Sequence, residues 1–596
     1  MKTGKLLILS ALTLLAITGC GLNNSQSGGG TIDGSDYDYN TEIKVDDPEE
    51  IISEDNTDEF SISTSDGSFT KTNTTYKLTA AGTYTLSGNL AGQILVEAGD
   101  DDEVIIELNG VTISNNLDSP IKAVTAKKVE ISAKSGTNNT IYDARSAKTV
   151  DNTNVGEGAI NAKVDLKLKG SGTLIVNGNY NNAIHTTKDL TIQKLTLKAT
   201  GYNNALKGKD GVTITSGTIQ AYAKNGSGIK TENSDVSSKN NQRGIIAING
   251  GSIYVDSLRD AIDASYNVEI DQLDEEVPTE ISVKTGKNSS YYTSSFKADS
   301  EKGLKAVNEI IINAGTIVIG ASDDAIHANY GTTLENGSKG LGNITVNGGL
   351  VQVASGDDGL HADNTLTVNG GKVVVTGSSE GFEGNYINIT GGSTYIYGSD
   401  DGVNCSKKTF NTCAMRVSGG YLDVAVRNGD TDGIDSNGDF YLTGGVVISR
   451  GSSGTTGSQM STGLDVDGTC QMTGGTLIAF NGLEVKPSTS SSIFYAGTVS
   501  NTSSGGMGGM GGMGGMGRPG NPGGNQSGST SSSVNLQSGV YTLSGTNIDL
   551  TFTNDYQYGS FLIYSSCLAS NATYTLSRNN STVLTWSQSS SSVTIS

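Results

Sequence analysis

Residues 356–384 read GDDGLHADNTLTVNGGKVVVTGSSEGFEG. The step Gly359-Leu360, a small residue followed by an aliphatic one, returns 22 residues later as Gly381-Phe382. Between the two steps lie two alternating segments, LTV and KVVV, joined by Asn369-Gly370-Gly371. Alternation of period two buries every second side chain of a strand, and a glycine pair turns the chain with no Cβ in the way.

The same step recurs to either side. Upstream it appears as Pro120-Ile121, Ala159-Ile160, Ala183-Ile184, Ala205-Leu206, Gly228-Ile229, Ala261-Ile262, Gly303-Leu304 and Ala325-Ile326. Downstream it continues as Gly402-Val403, Gly433-Ile434, Gly463-Leu464 and, more weakly, Gly482-Leu483. Many neighbouring steps are 21 to 24 residues apart, and the longer intervals are that period plus an insertion. Glycine pairs recur at one phase as NGG from 249, 347 and 369, TGG from 390, 443 and 473, and SGG from 418. Short strands, corners in place of helices and a period near 22 predict an all-β fold, a right-handed parallel β-helix with rungs about 4.8 Å apart. An antiparallel sandwich leaves the fixed phase unexplained.

The chain has 596 residues, 81 of them Gly, and a formal net charge of -22. Its length would hold several ordinary domains, but the composition favours one elongated array. The acidic balance argues against nucleic acid and other polyanions unless a bound cation inverts the local field. Residues 1–19 carry Lys2 and Lys5, then an apolar run from Leu6 to Ile17, as a secretory signal does. Ala16-Ile17-Thr18-Gly19-Cys20 resembles a bacterial lipobox, which implies a lipid on Cys20 and a secreted lipoprotein tethered to the cell surface or outer membrane. Residues 20–59 are acidic and poor in apolar side chains, and are expected to be a solvated, disordered tether. Residues 60–486 hold the repeat, 487–533 a Gly/Met/Ser-rich linker, and 534–596 a small C-terminal β element. Cys405 and Cys413 bracket a polar excursion that a disulfide would staple, with free buried thiols as the alternative.

Stacking the repeats turns positions into columns. Before the step stand Asp260, Lys302, Asp324, Asp358, Glu380, Asp401 and Asp432; one place earlier are Asp323, Asp357 and Asp400, with Asp430 close by. After the aliphatic residue come His327, His361, Glu383, Asn404, Asp435 and Asp465. Carboxylates on adjacent rungs repel by roughly 1–3 kcal/mol per pair at a surface-like dielectric, so something must neutralise them. Hard oxygen ligands in number suit Ca²⁺. The metal candidates are therefore Asp323, Asp324, Asp357, Asp358, Glu380, Asp400, Asp401, Asp430, Asp432 and Asp435. Zinc is disfavoured, because the three histidines His185, His327 and His361 are spread over distant units. The plainer alternative for each Asp is turn chemistry, its carboxylate bonding backbone amides; for the histidines it is a polar ladder at a solvent-facing corner.

The opening AAGTYTLSGNLAGQILVEAGDDDEVIIELNGVTIS from Ala80, together with repeats such as 356–384, resembles the clostridial-type carbohydrate-binding β-helix proteins over roughly residues 60–486. That resemblance implies a pectate-lyase-like fold, calcium at the acidic corners and affinity for cellulose or pectin-like polymers. Insertions at 231–243, 271–302 and 329–342 depart from the pattern. Strand phase points Tyr222, Tyr254, Tyr395 and Tyr397 outward, where aromatic faces would hold a sugar chain. The expected function is non-catalytic polysaccharide binding. A calcium-dependent lyase is the rival, but it needs a positioned base, and Arg259, Arg416 and Arg427 form no evident cationic cluster. A structural adhesin is a third class.

Overall fold

The computed structural model describes residues 32–34, 42–52, 56–297, 299–426, 431–452, 461–483, 487–489, 492–496, 536–554 and 556–595. Cys20, Arg427 and Asp430 lie outside them.

The chain is all-β, and the described residues contain no α-helix. Three faces of short strands run its length. The first begins at the small-aliphatic steps, as in Ile262–Ala264, Leu304–Ala306 and Ile326–Ala328. The second includes Asn267–Ile270, Glu309–Ile312 and Asn343–Val346. The third includes Gly251–Ser257, Thr279–Thr285, Thr316–Gly320 and Leu350–Ala354. Each strand pairs in parallel with its counterpart one repeat away: Ile262 with Leu304, then Ile326, then Leu360 on the first face; Val268 with Ile310, then Ile344, on the second. Like therefore stacks on like. The inward residues form aliphatic columns with no solvent exposure, among them Ile262, Leu304, Ile326 and Leu360.

Between the second and third faces the glycine pairs make the corner. Gly371 has φ +77°, and a Cβ on it would lie 2.6 Å from the carbonyl oxygen of Gly349 one rung below. Beside this corner the side-chain amides of Asn313, Asn347 and Asn369 form a ladder, with N–O distances of 2.8 Å. Positive φ and close rung packing together explain the recurring NGG.

Antiparallel strands are added at both ends, where they cover part of the exposed strand edge. Ser61–Thr64 pairs antiparallel with Gly82–Ala91 at the start. At the far end Phe561–Ser565 pairs antiparallel with both Cys470–Phe480 and Ser492–Ala496. The strand Ser492–Ala496 falls in the expected linker, so ordered structure runs past residue 486. Residues 536–595 add a second sheet whose apolar side, with Trp586, covers the third face in a cluster with Val374, Tyr395, Tyr421 and Phe480. Arg450, 1% exposed, fastens the two: it donates to Asn554 Oδ1 at 2.8 Å and the Thr553 carbonyl at 2.5 Å while pairing with Asp423.

The acidic segment differs from the expected free tether. Residues 42–52 lie along the third face, where Asp47 accepts from Tyr254 Oη at 2.7 Å and from Lys284 Nζ at 2.6 Å. Glu50 pairs with Lys198 at 2.9 Å. The outward basic residues of this face give the acidic strand its track.

Candidate functional site

The carboxylate ladder lies along the edge of the first face. Asp263, Lys305, His327, His361, Glu383, Asn404, Asp435 and Asp465 occupy successive rungs in register. In the preceding column, carboxylate oxygens receive the backbone N–H at the same position one rung on. Asp260 accepts from Lys302 at 2.9 Å, Asp324 from Asp358 at 3.0 Å and Asp401 from Asp432 at 2.8 Å, and Asp432 accepts from Thr462. Turn chemistry thus occupies one oxygen of these acids and leaves the other facing the ladder.

Two halves of the ladder treat that second oxygen differently. In the first half, basic side chains meet it. Lys302 Nζ lies 2.8 Å from Asp323 and 2.7 Å from Asp324, and His327 Nδ1 lies 2.6 Å from Asp324 Oδ2. Burial raises the Asp324 pKa, but His327 and Lys302 outweigh it and hold the carboxyl well below the usual range. In the second half, no ion pair reaches Asp401, Asp432, Asp435 or Asp465 among the described residues. Burial, with the neighbouring carboxylates, pushes Asp401 up to about 6 and both Asp432 and Asp435 up to about 7. Asp357 and Asp400, both exposed, are also raised by burial and by acidic neighbours.

The histidines sit elsewhere than the sequence suggested. His327 and His361 are on adjacent rungs, their rings stacked at 4.4 Å between centroids and 9° between planes. Their supposed distance reflected only the insertion at 329–342, which loops out between rungs. Nor is the ladder here simply solvent-facing, since His327 is 8% exposed. His361 Nδ1 is 2.9 Å from Asp358 Oδ2, and both rings point Nε2 at Asp363 Oδ1, each at 3.4 Å. Burial lowers the His361 pKa, but Asp358, Asp363 and Glu383 carry it up to about 10. Burial, with Glu380 and Glu383 alongside, pushes Asp358 up to about 9 despite the His361 bond. Buried His185 is different: desolvation and Lys207 push it down to about 4. Sequence reasoning missed Asp363, two residues beyond His361 on a strand that bulges between Ala362 and Thr365.

The insertions form a rim beside this column. Tyr330 packs on Phe410 at 4.9 Å, the Glu335 amide donates to Ser234 Oγ at 3.0 Å, and Lys408 reaches Glu383.

The four tyrosines do not form an exposed row. Tyr254 is 5% exposed under the 42–52 segment, and Tyr222 is half-buried with its ring 5.8 Å from Tyr254. Tyr395 is 8% exposed beneath the C-terminal sheet, while Tyr397 Oη lies 2.9 Å from Tyr556 Oη. Strand phase turned each ring away from the core correctly, but other segments then covered them. On the second face, Thr367, Asn388, Thr390, Arg416, Ser418, the half-buried Tyr441 and Thr443 line a depression of ≈ 540 Å³. The Arg416 guanidinium lies 5.2 Å from the centre of the Tyr441 ring, and Tyr441 Oη donates to Asp439 at 2.9 Å. Cys405 and Cys413 are free buried thiols, not a disulfide; Cys413 Sγ donates to the Cys405 carbonyl at 3.2 Å. Burial raises both thiols, which leaves them protonated.

Calcium fits part of this ladder. Hard cations take several oxygens: among the described residues the all-carboxylate groups close enough to share an ion are Asp323, Asp324 and Asp357, and Asp357, Asp358 and Glu380, while the acids from Asp401 to Asp465 carry uncompensated charge without forming such a group.

A family model described as "Carbohydrate-binding domain-containing protein" matches residues 72–342. The match is to a carbohydrate-binding domain. A protein of Acetivibrio thermocellus with the same description is 37% identical over 201 residues, 33% of this chain and 65% of that relative's length. A solved structure described as "Structure of the polysaccharide lyase-like protein from C. thermocellum, Gadolinium derivative" is 34% identical over 36% of this chain and 83% of that one, with a TM-score of 0.31. The family match stops at residue 342, before His361 and every unpaired acid of the ladder.

Proposed function

We propose that this chain is a non-catalytic, calcium-dependent polysaccharide-binding protein built on a right-handed parallel β-helix and held at a bacterial surface by a lipid on Cys20. The observation that carries the reading is the run of in-register carboxyls from Asp401 to Asp465, which no basic side chain offsets among the described residues. Similarity to carbohydrate-binding domain-containing proteins supports a carbohydrate ligand, which we take to be cellulose or a pectin-like polymer. The sugar surface moves from the covered tyrosines to the second face. There Tyr441 offers a ring, Arg416 a cation for a uronate carboxylate, and Thr367 and Asn388 hydrogen-bonding groups on rungs about 4.8 Å apart.

The rival lyase reading needs a neutral base beside the cation. Within the ladder Lys302 and Lys305 pair with aspartates, and beside it, bonded to Glu383, lies Lys408. Burial lowers its pKa, but Glu383 more than restores it, so the amine stays protonated. That favours binding over proton abstraction.

Pull-downs on polygalacturonate and on cellulose, with and without chelator, test the proposal. Retention on polygalacturonate is expected to fall with chelator and with Asp432→Asn, and retention on both polymers with Tyr441→Ala. Sustained release of unsaturated sugar from polygalacturonate would overturn the non-catalytic assignment. Chelator-insensitive retention by a folded protein would remove calcium from it.

A further inference from the structure

The stacked pair His327–His361 divides the ladder into two kinds of cation site. Around His361 the donors are mixed. Nδ1 lies 2.9 Å from Asp358 Oδ2 and 3.4 Å from Glu383 Oε2, and the ligand atoms of these three residues all fall within 4.8 Å of one another. Asp324 Oδ2 stands behind them, 3.9 Å from the same nitrogen.

Among the described residues, two buried oxygens here have no hydrogen-bond partner. Glu383 is 1% exposed; its Oε1 is engaged by Ser406 and Lys408, while its Oε2 faces His361 unbonded. Asp358 is 3% exposed, and its Oδ1 is likewise unpartnered. A buried polar atom without a partner costs about 1–3 kcal/mol, so two of them around one imidazole point to a missing partner. The ring that separates them is already oriented. His361 is held flat against His327 and presents its other nitrogen to Asp363, the carboxylate–histidine relay that commonly supports a metal-bound imidazole.

We propose that Asp358, His361 and Glu383 bind a first-row transition ion of the zinc type, separate from the calcium held by the all-oxygen rungs beyond Asn404. Spacing favours the smaller ion. A tetrahedral ion with bonds of about 2.0–2.1 Å keeps its ligand atoms about 3.3 Å apart, and the observed 2.9 and 3.4 Å fall on either side of that value. Calcium binds at about 2.3–2.6 Å to six or more oxygens, a larger shell with no place for the imidazole nitrogen. Two carboxylates and one neutral imidazole balance a divalent charge, and water completes the set.

The full chain, stripped of metal and then saturated with calcium, is titrated with Co²⁺ and Zn²⁺. A visible ligand-field band from tetrahedral Co²⁺, displaced by Zn²⁺, is expected. It should vanish in His361→Gln and Glu383→Gln, persist in Asp432→Asn, and weaken in Asp363→Asn with roughly 10–100-fold loss of affinity. Asp363→Asn keeps the test decisive if the ligand variants fail to fold. No Co²⁺ band in calcium-saturated protein, or a band that survives His361→Gln, overturns the site. Loss of polygalacturonate retention with the Co²⁺ band intact would count against the glycan assignment alone.

Discussion

Lys302 and Asp324 stand on adjacent rungs of one column, with Nζ 2.7 Å from Oδ2 and both side chains nearly buried. This pair is why the first half of the ladder holds without a metal. Breaking a buried pair from one side leaves an uncompensated charge, so Lys302→Met is expected to cost about 3–5 kcal/mol. Denaturant melts with chelator present measure it. Because Asp324 is held below its unfolded pKa, it contributes stability above about pH 4 that is lost as pH falls.

The second half has the opposite sign. Asp401, Asp432 and Asp435 titrate near 6 to 7 when folded and near 4 when unfolded, so the native state binds more protons between those values. Their contribution is complete below about pH 4 and lost as pH rises through 7. In chelator, melting temperature should therefore fall from pH 5 to pH 8, and calcium should flatten the slope. Asp432→Asn should raise the melting temperature at pH 8 in chelator and lower it in calcium.

Glycine corners separate two costs. Gly136 has φ +72° with open space where a Cβ would stand, while Gly371 has φ +77° with the rung below in the way. Gly136→Ala should cost only the left-handed penalty of about 1–2 kcal/mol. Gly371→Ala should cost clearly more, because two rungs must separate. Paired equilibrium unfolding curves decide it.

Arg450 is expected to hold the C-terminal sheet on the third face. Arg450→Met removes the guanidinium that pairs with Asp423, which is 1% exposed and also accepts from Tyr421 Oη, and should cost about 3–5 kcal/mol. Limited proteolysis should then release fragments from residues 536–595 first, and Asp423→Leu in the same chain should restore most of the resistance.

Sequence alone determined what depends on phase. A step repeated every 21 to 24 residues, with alternating strands between, fixed the all-β stack, its inward columns and the register that lines up Asp263 through Asp465. Strand periodicity is local, so it survives in the primary structure. What lies over an outward residue is not local. Tyr254 faces away from the core as its phase requires, yet Asp47 covers it from 207 positions earlier, and Tyr395 is covered by a sheet that begins beyond residue 530. The ladder divides in the same way. Its carboxylates were visible as columns, but the proximity of His327 to His361 required knowing that residues 329–342 leave the stack and return. The contact of Lys302 with Asp324 follows from the repeat register, but those of Lys408 and Asp363 depend on where an excursion and a bulge fold back. Tertiary packing alone decided which acids are paired and which await a cation, because charge compensation is set by distance in space and not along the chain.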